Sequence, residues 1–189
     1  MEKQVEYEAL RSEIIYSMQI IKNYRSLLYT IVIAVLALAF QSDNVIMFLI
    51  PFLVIIPIYL LEMHQVDSTA RVGAYISVFI EPETDCQWET RLLKYEKIHK
   101  NNNRNKESLV NPYWCISFGC MILSFLKLDY YNRNFNFYIF FVEQILAFVL
   151  CVFILIKKNV NSLESKEKYI KEWNEIKKMN VGNIMNNWF

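Results

Sequence analysis

A single carboxylate interrupts the apolar stretch from Phe137 to Ile156: Glu143, followed directly by the amide of Gln144. An ionisable side chain inside so apolar a helix is costly, and it ordinarily faces a bundle interior or a water path. Glu143 lies six residues beyond Phe137, about 9 Å along a helix. Several copies around one axis would make a carboxylate ring favouring cations, with Gln144 beside it as part of the ion path. The competing reading is structural, an ion pair with Lys127 or a protonated, hydrogen-bonded Glu143. A second group of candidates lies in the middle of the chain: Glu81, Glu83, Asp85, Trp88, Glu89 and Arg91. This is expected to be a partner or ligand surface. The alternative is that Glu81 and Glu89 simply close helix ends, paired to Arg71, Arg91 or backbone amides. The spacing is not that of a calcium loop.

Other chemistry is excluded by what is missing. The two histidines, His64 and His99, form no metal-ligand pair at helical spacing. The four cysteines include no CxxC, and Cys115, Cys120 and Cys151 sit in apolar runs, where a thiol behaves as a small hydrophobe. There is no glycine-rich phosphate loop and no GxSxG motif. Arg91 and His99 do not amount to a nuclease pair. No catalytic residue, metal or cofactor is expected. The net charge of +1 supplies no basic field, so no direct nucleic-acid binding is expected either.

The elements that must position these residues are long helices. Of 189 residues, 54% are hydrophobic, yet only 3 are glycine and 4 proline, too few to turn a chain between many short elements. Four apolar runs approach the roughly 20 residues that a bilayer requires: Leu27 to Phe40, Val45 to Leu61, Tyr113 to Leu126 and Phe137 to Ile156. The expected fold class is all-α, a polytopic membrane protein of four transmembrane helices with amphipathic cytoplasmic helices. QSDN alone joins the first two runs, so they form a tight hairpin. The third is short unless Val110 to Pro112 extend it. No signal peptide is expected, because a charged amphipathic stretch precedes the first apolar run.

Charge sets the orientation. With four spans, 18 Lys and Arg fall in the two termini and the central loop, against Lys127 and Arg133 on the other side. An excess of Lys and Arg marks the cytoplasmic face. Both termini and the central loop are therefore expected inside a bacterial inner membrane. The organisation is a cytoplasmic helix over 1–26, a transmembrane hairpin over 27–61, a helical loop over 62–110, a second hairpin over 111–156 and a cytoplasmic helix over 157–189. Val5, Leu10, Ile14, Met18 and Ile21 give the first segment one apolar stripe, and no breaker separates it from the first span, so one continuous helix of about 38 residues is expected. The second span continues past Leu61 until Glu81–Pro82. The tail carries Leu163, Ile170, Trp173 and Ile176 along one side. Such stripes need cover, either within the chain or in a homo-oligomer.

Four stretches carry a resemblance: Tyr7 to Ile15 (YEALRSEII), Phe48 to Pro57 (FLIPFLVIIP), Ala74 to Glu81 (AYISVFIE) and Trp88 to Arg91 (WETR). Over roughly its first 95 residues the chain resembles a group of small bacterial multi-spanning membrane proteins. These are similar in kind to the membrane subunits of anti-phage defence systems such as Kiwa and Hailong. The resemblance implies a membrane sensor or effector working with a soluble cytoplasmic partner. The expectation is a homo-oligomeric channel or sensor-effector gated through its cytoplasmic helices. The alternative is a non-conducting anchor that recruits a soluble protein.

Overall fold

A computed structural model of the chain describes residues 2–42, 45–84, 86–103, 112–130, 135–157 and 162–186. The described residues are all-α, without a strand among them. The helices are α1 (Glu2–Gln41), α2 (Ile50–Tyr75), α3 (Trp88–Asn103), α4 (Pro112–Tyr130), α5 (Phe135–Lys157) and α6 (Ser162–Asn186). A 3₁₀ turn over Val45–Leu49 leads into α2, and α2 passes into a π-helix over Ile76–Ile80 and a 3₁₀ turn over Glu81–Glu83. The 40-residue α1 has no proline or glycine to stop it. Pro51, at the second position of α2, lacks only an N–H that would have been unpaired there, whereas Pro57 lies inside the helix. Three stretches are long and apolar enough to cross a membrane: Lys3–Gln41, Met47–Glu83 and Ile139–Met179. Pro112–Leu126 is apolar but shorter.

The chain divides into two compact units. Unit 1 comprises Met1–Ile21, His64–Asn103 and Val160–Phe189; unit 2 comprises Lys22–Met63 and Arg104–Asn159.

In unit 2, α4 and α5 run antiparallel, with Ser117 against Cys151, Phe118 against Phe148 and Phe125 against Phe141. The buried residues of α5, Gln144, Cys151 and Leu155, recur at seven and four and so form one narrow seam. Those of α4, Tyr113, Ser117, Cys120 and Ser124, form another. With Leu28 and Val32 of α1 and Phe52, Ile55 and Tyr59 of α2 they enclose the core. The outward faces are apolar as well: Leu53 is 71% exposed, Ile33 67% and Ile156 63%.

Unit 1 has a smaller core, centred on Tyr7, Ile76 and Ile80. Leu163 of α6 is buried, and Trp173 packs edge-on against Tyr75 and Phe79. Charge is plentiful on its surface, including ion pairs between Lys3 and Glu83 and between Lys97 and Glu167.

Candidate functional site

Within unit 2, successive residues of a helix differ by about 100° around its axis. Glu143 and Gln144 therefore cannot both face inward. Gln144 is buried, and its Oε1 has no hydrogen-bond partner among the described residues. Ser124 Oγ on α4 is likewise buried and without a partner, and the antiparallel register sets it level with Gln144. Glu143 is exposed, flanked one turn away in each direction by the exposed Ile139 and Leu146. The side chain of Lys127, its alternative partner in the sequence reading, lies outside the described residues.

A second charged group closes the other end of unit 2. The Glu62 carboxylate is buried, at 1% exposure, and accepts from both sides. The Arg25 guanidinium donates through Nε at 3.1 and 3.2 Å and through a terminal nitrogen at 2.6 Å. The Tyr113 hydroxyl donates at 2.6 Å. Tyr59, edge-on to Tyr113 with ring centres 5.0 Å apart, donates its hydroxyl to the Leu155 carbonyl at 2.9 Å. A forked guanidinium suits a carboxylate geometrically, and the added phenol accounts for a lone pair the fork leaves. Sequence reasoning treated Arg25 only as a residue reaching for headgroups and passed over Glu62. The signal was available: a tight hairpin whose connection is centred near residue 43 brings positions equally far from it together, and 25 and 62 are such positions.

In unit 1 the central acidic group separates into residues turned inward and residues turned outward. Glu81 is buried, and its carboxylate accepts from the backbone N–H of Glu89 at 2.5 Å and of Thr90 at 3.1 Å, and from the Thr90 hydroxyl at 2.5 Å. It thus satisfies the unpaired amides of the first turn of α3, where negative charge also meets the positive end of the helix dipole. Glu89 is buried too and is paired with Lys166 of α6 at 2.5 Å, not with Arg71 or Arg91. Both side chains are nearly closed to solvent. Gly73 makes the room: a Cβ there would come within 2.9 Å of Glu89 Oε2 and 3.5 Å of Lys166 Cε. Neither Glu81 nor Glu89 is therefore free to meet a partner. Trp88 and Arg91 are exposed, and Glu83 is exposed and paired with Lys3. That cation holds the Glu83 carboxyl below its usual range. Asp85 lies outside the described residues.

Further contacts tie α6 into unit 1. Tyr169 donates to Asp67 at 2.6 Å, and this bond to a carboxylate pushes the phenol above its ordinary pKa. Lys177 Nζ donates to the Val78 carbonyl of the π-helix at 2.9 Å. Burial, reinforced by a hydrogen bond to Glu6, raises Tyr75 in the same direction. Lys166, Gly73 and Tyr169 carry no motif, and sequence reasoning did not single them out. Among the described residues no group of three or more His, Cys, Asp or Glu could hold a metal ion.

No family model matches the chain, and comparison with curated proteins and with solved structures finds no match.

Proposed function

We propose that the protein is a four-span inner-membrane protein whose copies associate around α5 to form a cation-conducting sensor-effector, with both termini in the cytoplasm. The reading rests first on the inverted polarity of unit 2. Its apolar side chains face outward on every helix, while Ser117, Ser124, Gln144 and Glu62 are inside. A surface of that kind and extent suits hydrocarbon rather than water. The helix α4, at 19 residues, would extend about 28 Å, close to the roughly 30 Å of a bilayer core, which supports its counting as the fourth span. The distribution of Lys and Arg gives the orientation.

The single observation that carries the channel is the exposure of Glu143 on the otherwise apolar outer face of α5. A lone chain would set this carboxylate against lipid, at a cost of about 2.5–3.5 kcal/mol for a charge at mid-membrane, less nearer the surface. Assembly around α5 removes that cost and gathers the carboxylates into a ring that favours cations. Gln144, turned into its own subunit, would stand behind the path and not line it. The resemblance to anti-phage membrane subunits supplies a setting in which such a conductance would depolarise an infected cell.

The test is membrane potential, read with a voltage-sensitive dye in bacteria expressing the protein alone and under phage challenge. Depolarisation by the wild type and its loss in Glu143→Gln, with equal amounts of inserted protein, is the expected result. Depolarisation that persists unchanged in Glu143→Gln removes Glu143 from the path. Absence of depolarisation in every condition overturns the channel and favours the anchor.

A further inference from the structure

Two exposed faces in unit 1 have no cover among the described residues, and their chemistry is complementary. On α1, Val5, Glu8, Ser12, Ile15 and Tyr16 fall on one side at about 100° per residue, opposite the buried Tyr7 and Ser17. Val5, Ile15 and Tyr16 are each more than half exposed, and Glu13 lies exposed at the edge. On α3, Trp88, Arg91, Lys94, Tyr95 and Ile98 share the side opposite the buried Glu89. Trp88, Tyr95 and Ile98 are again each more than half exposed. Trp, Tyr and Arg are the residue types that dominate binding energy at protein interfaces. One face is apolar with acidic charge, the other aromatic with basic charge.

We propose that unit 1 pairs with unit 1 of a second copy, the exposed face of α1 on one copy lying on the exposed face of α3 on the other, and reciprocally. This rests on the self-association proposed above but concerns a different surface and a different readout. Both halves of the match are present on each copy, so a two-fold contact satisfies both at once. They also adjoin: the Arg11 guanidinium of α1 lies 5.0 Å over the Trp88 ring of α3 in the same unit. In the pair, Glu8 and Glu13 of one copy meet Arg91 and Lys94 of the other, which fixes register and suppresses other pairings. The acidic residues argue against the bilayer surface as the occupant, because anionic headgroups attract basic segments and repel these.

The experiment uses the full chain carrying two different tags, with Tyr95 replaced by a benzophenone amino acid in one copy. Illumination of membranes is expected to cross-link the two tags, with the adduct on α1 between residues 5 and 16 of the other copy. Arg91→Glu with Lys94→Glu, placed in both copies, is expected to lower the yield at least about five-fold, equivalent to about 1 kcal/mol. Glu8→Lys with Glu13→Lys in both copies is expected to do the same. Expressing the basic-α1 form with the acidic-α3 form should restore it, because each exchanged face then meets its complement. That rescue also shows that both forms fold. Adducts to lipid, to another protein or only within one chain would overturn the pairing. So would a yield that the reversals leave unchanged, or a loss that mixing fails to restore. Conductance is read separately: a pairing lost while Glu143-dependent depolarisation persists sinks this inference alone, and the converse leaves it standing.

Discussion

Each unit buries a glutamate, and the two are neutralised differently. In unit 1, Glu89 meets Lys166 with both side chains nearly closed to solvent, 8% and 6% exposed. In unit 2, Glu62 is 2% exposed but its Arg25 partner is 47% exposed, and a phenol completes its hydrogen bonding. The first pair bears the desolvation cost of two ions and has one charged contact to offset it. The second desolvates one ion only and supplies it with several donors. The surroundings are reversed as well. Unit 1 keeps apolar residues inside and charge outside, whereas unit 2 has serine, glutamine and glutamate inside a coat of leucine, isoleucine and phenylalanine. The same residue type, glutamate, is therefore a core anomaly in one unit and part of an inward polar seam in the other.

The largest effect is expected where the burial is most complete. Lys166→Met leaves Glu89 buried without its counter-ion and should cost about 3–5 kcal/mol, whereas replacing both members by apolar residues should recover most of the loss. Thermal unfolding of the solubilised full chain, followed by circular dichroism, checks this; equal losses in the single and double variants would show that the pair contributes packing and not charge. Arg25→Met should cost less, about 1–3 kcal/mol, because Tyr113 remains bonded to Glu62 and the vacated side is open. A larger loss than for Lys166→Met would reverse the ranking drawn here. The smallest effect concerns Lys3 and Glu83, both about half exposed. Since Lys3 holds the folded-state pKa of Glu83 below its unfolded value, the contribution is present above the ordinary carboxylate range and fades as pH falls through the lowered value. Glu83→Gln should therefore flatten a small acid-side slope in the melting temperature and leave neutral pH nearly unchanged.

What could be read from the sequence followed from chain-local rules. The all-α class came from a shortage of glycine and proline together with apolar runs, and the unbroken α1 from the absence of any stop between Glu2 and Gln41. The end of the long helix at Glu81–Pro82 followed from what proline does to the residue before it. The Glu143–Gln144 pair was legible as an oddity, but which of the two turns inward depends on the neighbours of α5. The acidic group around residue 85 was legible as a group and not as two opposed sets. Glu81 and Glu89 turn inward because α3 needs a cap and α6 brings Lys166, and those partners are 8 and 77 residues distant in sequence.

The π-helix over Ile76–Ile80 imposes a constraint of counting. Its hydrogen bonds skip one residue more than those of an α-helix, the Glu81 N–H returning to the Ile76 carbonyl. Deleting any one residue from this segment would convert the turn to ordinary α-helix and turn everything beyond it by about 100°. The Glu81 carboxylate would swing away from the amides of α3, and the carbonyl that receives Lys177 would point elsewhere. Changes of side chain along these five positions can be absorbed by repacking, but a change of chain length cannot. The segment acts as a spacer whose length matters more than its composition, and insertions or deletions should be far scarcer there than substitutions.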